Sequence, residues 1–164
     1  MKKIGLLSDT HGWLDARIMN FFEPCDEIWH AGDIGSVAVA EQLSAFRPLR
    51  AVYGNIDGYE LRRMFPEFLS FDCEEVKILM THIGGYPNRY DPRAATRLLA
   101  EKPNLFICGH SHILKIMFDW TRQMLCVNPG AAGQFGFHTV RTLLRFEIDA
   151  KNIQAMEVLE ISRS

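Results

Sequence analysis

Three times within the first 58 residues a short apolar run breaks into a glycine-bearing polar turn. Lys2–Leu7 ends in Ser8-Asp9-Thr10-His11-Gly12, Glu27–Ala31 in Gly32-Asp33, and Leu49–Tyr53 in Gly54-Asn55-Ile56-Asp57-Gly58. Short apolar runs bounded by turn residues read as strands. The segments between them carry helical spacing. Leu14, Ile18, Phe21 and Phe22 mark a helix over Leu14–Phe22, and Ser36 is an N-cap for a second over Val37–Phe46. Strand and helix in alternation predict βαβ construction around a mainly parallel sheet. In such a sheet the loops leaving the strands gather at one edge, which is where ligands bind.

The pattern continues. Tyr59–Met64 reads as a short helix. Phe68–Asp72 and Glu75–Thr81 read as strands joined by a turn at Cys73-Glu74, the second ending in His82. Asp91 as N-cap and Pro92 at the first position start a helix to about Glu101. Asn104–Cys108 is the strand before Gly109-His110-Ser111-His112. If the chain stays extended there, side chains two apart share a face and both rings reach one small volume. Beyond it, Ile113–Phe118, Gln123–Val127, Thr139–Ile148 and Ile153–Ile161 read as strands with no helix between them. They predict an antiparallel meander, or a second sheet packed on the first. The loop Asn128-Pro129-Gly130-Ala131-Ala132-Gly133 suits close backbone approach to a ligand.

Bulk properties narrow the function classes. A chain of 164 residues accommodates one domain, spanning residues 1–164. A net charge of -2 argues against a general nucleic-acid or membrane-surface binder, so neither stable nucleic-acid binding nor a membrane is expected. The four cysteines form no CxxC pair and read as reduced, buried thiols. The first apolar run is too short for a signal peptide, and no stretch approaches the roughly 18 apolar residues of a membrane span. The expectation is a cytoplasmic protein.

Each polar strand end has a bland reading. Asp9 is a good N-cap, Asn55 and Asp57 are ordinary turn formers, and a single histidine is a loop residue. Taken together, Asp9, His11, Asp33, Asn55, His82, His110 and His112 are seven nitrogen or oxygen donors at strand ends, and turn chemistry alone does not explain them. The set predicts a metal site. Imidazole and carboxylate without thiolate suit Mn, Fe, Zn, Ni or Co rather than Ca. Seven donors exceed what one such ion takes up and fit two ions sharing a carboxylate. A pair of that kind clamps a phosphate and stabilises the departing oxygen.

The order Asp9-x-His11, Gly32-Asp33, Gly54-Asn55, His82, Gly109-His110-x-His112 resembles the calcineurin-like metallophosphoesterases. The compact length and the Asn128-Pro129-Gly130 loop resemble their small bacterial YfcE-type phosphodiesterase branch, and the likeness covers nearly the whole chain. It implies an α/β fold, a four-layer α/β/β/α sandwich of two mixed sheets. It also implies hydrolysis of phosphodiester bonds by a metal-bridging hydroxide at a dinuclear site. The cofactors implied are two divalent transition-metal ions, manganese foremost, with Ni, Zn, Fe or Co as alternatives. By this resemblance Asp9, His11 and His112 hold the first ion, Asn55, His82 and His110 the second, and Asp33 bridges them. Asn55, Asp57 and His82 are the implied catalytic residues, a small phosphodiester the implied substrate, and a homo-oligomer, dimer or larger, the implied assembly.

Two positions depart from the pattern. Many relatives carry histidine where this chain has Ile56, which neither gives nor takes a proton; its absence favours diesters with good leaving groups. Ala131 stands where the branch often has serine. The alternatives are a phosphomonoesterase or nucleotide pyrophosphatase of the same fold, and a non-catalytic protein-binding scaffold akin to a eukaryotic trafficking subunit. Around the loop edge, Arg62, Arg63, Arg89 and Arg93 are candidates for phosphate contact or plain surface charge. Tyr86 to Tyr90 is a candidate lid. Phe135, Phe137 and His138 are candidates for pocket wall or subunit contact, or plain packing.

Overall fold

The computed structural model describes residues 1–163. Strands β1 (Lys2–Leu7), β2 (Glu27–His30) and β3 (Leu49–Ala51) lie side by side and parallel, as the alternating pattern requires. Their register sets Leu7 opposite His30, and His30 opposite Ala51, so all three strands end level. Their following loops therefore leave from one edge.

Asp15 caps α1 (Ala16–Phe21), its carboxylate accepting the Arg17 and Ile18 N–H groups, and so starts the helix two residues later than its apolar spacing suggests. Ser36 caps α2 (Val37–Phe46), and α3 (Tyr59–Met64) is a short turn of helix after β3. The second sheet holds β4 (Phe68–Cys73) and β5 (Val76–Thr81), then β8 (Leu105–Ile107), β10 (Met124–Pro129) and β9 (Leu114–Asp119). Here too the parallel strands stay in step, with Met80 opposite Ile107 and Ile107 opposite Val127, though β5 and β10 run on for one and two residues beyond β8. Helix α4 (Pro92–Glu101) begins at Asp91 and stops at Lys102, which turns into the left-handed region at φ 50°.

The last strands divide in a way that alternation of side chains does not reveal. The β9–β10 hairpin completes the second sheet. The chain then crosses back through the glycine-rich loop, and β11 (Val140–Asp149) with β12 (Asn152–Ser162) completes the first. Strand β11 runs antiparallel beside β1, with Leu6 opposite Leu144. The first sheet thus reads β12-β11-β1-β2-β3 and the second β4-β5-β8-β10-β9. The four final strands form neither one meander nor a sheet of their own, because burial of Leu143, Leu144 and Phe146 makes β11 an interior strand of the first sheet. Two further short strands, β6 (Gly85–Tyr86) and β7 (Arg89–Tyr90), form a hairpin where only a loop was expected.

Packing gives the four layers. Ile4, Leu6 and Trp29 of the first sheet meet Ile78, Met80, Leu105 and Ile107 of the second in the central core. Ile18, Phe22, Val39, Leu43 and Leu61 seal the outer face of the first sheet, and Ala94 and Leu98 seal that of the second. The two sheets therefore present their loop edges to each other at one end of the sandwich.

Candidate metal centre

The loops after β1, β2, β3, β5 and β8 meet at that end and are stitched by the backbone. Asp9 N–H donates to Gly32 O (2.9 Å), His11 N–H to Asp33 O (3.0 Å), and Gly109 N–H to His82 O (2.9 Å). Asp9 ties the sheets together through its side chain. Its Oδ2 accepts the Ser8 hydroxyl (2.6 Å) and the His110 N–H (3.1 Å). Gly109 makes this contact possible. A Cβ there would run into Ser8 Oγ and Asp9 Oδ2, so only glycine lets the two loops approach.

Five of the predicted donors sit in left-handed backbone: Asp9 (φ 54°), His11 (46°), Asp33 (55°), His110 (73°) and His112 (64°). The chain is thus not extended at His110 and His112. Each such residue costs on the order of 1 kcal/mol or more. The result is that His110 and His112 turn to different partners.

Asp9, His11 and His112 form one group of converging ligand atoms, and Asp33, His82 and His110 form another. In the first, Asp9 Oδ1 lies 3.1 Å from His112 Nε2 and 3.7 Å from His11 Nε2. In the second, Asp33 Oδ2 lies 3.1 Å from His82 Nε2. The groups interlock, since Asp33 Oδ2 is 3.6 Å from His11 Nε2 and Asp9 Oδ1 is 3.7 Å from His82 Nε2. The Asn55 amide oxygen stands 3.1 Å from His110 Nδ1.

These residues fit divalent metal. Asp9 Oδ1, His11 Nε2 and His82 Nε2 are buried with no hydrogen-bond partner. Such orphaned atoms are rare unless something else satisfies them. His82 Nδ1 is 2.8 Å from the Ala31 carbonyl, which only accepts, so in the neutral ring its Nε2 is a bare lone pair. That lone pair faces a carboxylate oxygen, an arrangement that calls for a cation between them. Metal–donor bonds of about 2.1 Å set adjacent donors roughly 3 Å apart or slightly more, the spacing found here. The electrostatics agree. Burial pushes the Asp9 carboxyl upward, but His11, His112 and His82 outweigh it and hold the pKa well below the carboxylate range. Asp33 is likewise held low against its burial by His82, and burial of His82 is outweighed by Asp33 and Asp9, which raise it.

The sequence pattern of the calcineurin-like phosphoesterase superfamily domain matches residues 1–151. The chain belongs to this superfamily. A probable metallophosphoesterase of Methanocaldococcus jannaschii is 32% identical over 135 residues, spanning 78% of this chain and 67% of that protein. Among solved structures, an archaeal protein described as a novel phosphodiesterase superposes with a TM-score of 0.74 at 22% identity, covering 96% of this chain and 99% of the other. Vps29 of Entamoeba histolytica in complex with Zn²⁺ superposes with a TM-score of 0.75 at 14% identity, covering 99% of each chain.

Around the metallophosphoesterase ligand groups the structure assigns places to the remaining candidates. Asp57 lies beneath the loops, its two oxygens accepting the N–H groups of Ile34 (3.1 Å), Gly35 (2.9 Å) and Gly54 (2.8 Å). It braces the turns that carry Asp33 and Asn55. Ile56 N–H donates to Asp33 Oδ1 (3.0 Å), which leaves Oδ2 for the ligand groups. Arg62 holds the Asp57 and Asn55 carbonyls and Arg93 pairs with Glu67, and both line the cavity beside Asn55 and His82. Ala131 is fully buried, so a serine there would have packed inward. Asn128 donates to Gly109 O (2.9 Å) and Ser111 Oγ (3.1 Å), making the Asn-Pro-Gly motif a brace for the His110 turn.

All six histidines of the chain belong to this region. His30 is fully buried, as a second-layer residue should be. Its Nδ1 accepts the Gly32 N–H (3.1 Å) and its Nε2 meets Thr10 Oγ1 (2.9 Å), while burial pushes its pKa down to about 4. His138 contacts His112 directly, a role that its position 26 residues later does not announce. Burial holds its pKa below the ordinary value.

Three cavities open onto the phosphoesterase groups. One of about 470 Å³ reaches His11, Asp33 and His112 and is walled by Ile56, Phe135 and Phe137. Another of about 360 Å³ lies on the far side of His110 and is lined by Tyr86, Arg89 and Lys115. A third of about 270 Å³ lies beside Asn55 and His82. The β6–β7 hairpin is the wall of the second cavity. The four cysteines are free and buried, with Cys108 pushed up to about 12 and Cys25 to about 11 by burial, so they are thiols rather than ligands. Among the described residues no helix is long and apolar enough to cross a membrane.

Proposed function

We propose that this chain hydrolyses small phosphodiesters with two divalent metal ions. Asp9, His11 and His112 hold one ion, Asn55, His82 and His110 the other, and Asp33 lies between. The observation that carries this reading is the convergence of three buried, unpartnered ligand atoms, Asp9 Oδ1, His11 Nε2 and His82 Nε2. When bound, such a pair of ions supplies a water of lowered pKa and charge compensation for the phosphoryl oxygens. Manganese is the metal of choice, with Ni, Zn, Fe and Co suited to the same donors.

The chain's own residues set the preference for diesters. Ile56, half-exposed in the cavity of about 470 Å³, offers hydrocarbon where a proton donor would assist the leaving oxygen. A monoester dianion loses more from that absence than a diester does. The likeness to an archaeal phosphodiesterase supports the same preference. Asp57 acts here as a brace for the ligand loops. The buried thiols support a reducing, cytoplasmic setting.

The test is hydrolysis of bis-p-nitrophenyl phosphate against p-nitrophenyl phosphate with Mn²⁺, for the native protein and Asp33→Ala. Metal-dependent diester turnover, lost in the variant, is expected. Faster monoester turnover would remove the argument from Ile56. A second reading is a protein-binding scaffold, favoured by the likeness to Vps29. Because a Vps29 structure is described with Zn²⁺, metal content does not separate the two readings. Turnover does, and its complete absence would favour the scaffold.

A further inference from the structure

We propose that His138 is a positioning residue for the first ion site, holding His112 in the tautomer that presents Nε2 to Asp9 and His11. The inference rests on the two-ion reading above. His138 Nε2 lies 2.9 Å from the Gly133 carbonyl, which can only accept, so this nitrogen carries the ring proton. Nδ1 of the neutral ring is then a bare acceptor. It stands 3.2 Å from His112 Nδ1, which must therefore donate. His112 Nε2 is left without a proton, and this is the atom 3.1 Å from Asp9 Oδ1.

The contacts close on themselves. Gly133, whose carbonyl anchors His138, donates its own N–H to Asp9 O (3.1 Å). Asp9, Gly133, His138 and His112 thus form a ring of contacts around one side of the site.

The loop is shaped for this pairing. Gly136 sits at φ +128°, and a Cβ there would run into His112 Nδ1 and Cε1. Arg163 reaches back to donate to Gly136 O (2.7 Å) and to the His138 carbonyl, pinning the loop from behind. The second ion site offers a parallel. His82 has its Nδ1 proton taken by a backbone carbonyl, that of Ala31. At His112 a side chain does the same work. Partners of this kind fix the orientation and tautomer of ligand imidazoles, and their loss commonly weakens metal binding about 10- to 100-fold.

Three variants separate orientation from packing. His138→Asn keeps an acceptor where Nδ1 was, His138→Gln keeps a donor toward Gly133 but not that acceptor, and His138→Leu keeps neither. Long-range proton–nitrogen NMR of the metal-free protein, at alkaline pH where imidazole is neutral, reads the tautomer of His112. The Nδ1–H form is expected in the native protein and in His138→Asn, and the Nε2–H form gains in His138→Leu. Mn²⁺ titration followed by EPR is the second readout. The native protein should take two ions. His138→Leu and His138→Gln should weaken one of them about 10- to 100-fold, leave the other in place, and be largely rescued in His138→Asn.

A His112 that is already Nε2–H in a native protein binding two ions would overturn the proposal and leave the two-ion reading standing. So would unchanged tautomer and Mn²⁺ binding in His138→Leu. If His138→Leu fails to fold, the native tautomer and the Asn–Gln contrast still decide. No Mn²⁺ uptake by the native protein would overturn both readings.

Discussion

The two ligand groups use the same residue types but are set differently in the protein. Asp9 is fully buried, and His11 and His112 beside it are mostly covered, with Phe135 stacked 5.1 Å from the His11 ring. Asp33 and His82 are as deeply placed, yet His110 and Asn55 are exposed and border all three cavities between them. The imidazoles are also held differently, by a side chain at His112 and by a main-chain carbonyl at His82. One side of the site is therefore backed by a loop, with His11 and His112 mostly covered, and the other is the more exposed. On the two-ion reading, the first group anchors and the second receives.

The largest test of that contrast is its shared member. Asp33→Ala is expected to empty both sites and lower diester turnover on the order of a thousandfold, while Asp9→Asn should still retain the second ion. Elemental analysis of both variants checks this, and one tightly held ion in Asp33→Ala would break the picture of a shared carboxylate.

Next comes the layer beneath both groups. His30 holds the Thr10 and Gly32 loops while neutral. Its pKa falls from 6.5 to about 4 on folding, so the unfolded chain takes up the proton first. Stability is fully present above the unfolded value and is lost as pH falls through the folded one. The loss is about 3 kcal/mol. Urea unfolding over that window should show it, and His30→Asn should flatten the profile.

Arg141 acts on the loop-backed side alone. Fully buried, it donates to Ala132 O (2.7 Å) and Asp15 Oδ2 (2.9 Å). Arg141→Met should lose about 2–3 kcal/mol of unfolding free energy by leaving those acceptors unpaired. An unchanged urea midpoint would remove Arg141 as a support of the loop that carries His138.

The smallest effect belongs to the more exposed side. Ile56→His should raise monoester turnover relative to diester by about tenfold. A steady-state comparison of the two esters reads the ratio, and no change would mean that preference lies elsewhere in the cavity.

Much of this was legible because local chemistry set it. Ser36 and the Asp91-Pro92 pair mark helix starts that the structure reproduces to the residue. The strand ends were legible because apolar runs stop where the sheets do, which is why Asp9, His11, Asp33, His82, His110 and His112 could be gathered before any contact was known. What escaped was non-local. No pattern at His110 or His112 signals left-handed backbone; at His110 it goes with the N–H donated across the gap to Asp9 Oδ2. Strands β11 and β12 carry ordinary alternation and say nothing about which sheet they join. Asp57 reads as a turn former, and only the folded loops show three N–H groups converging on it. The signal for His138 was present but indirect, in that the other five histidines already flank strand-end loops.

Each ligand group draws from both sheets, Asp9 and His11 with His112 across the gap, and Asp33 with His82 and His110. A ribosome that has released only the first sixty residues has therefore made part of each group and the whole of neither. On the two-ion reading, metal capture waits until the sandwich has closed. On the same reading the ions are rivets between layers, so stripping them should loosen the seam between the sheets before it melts either sheet.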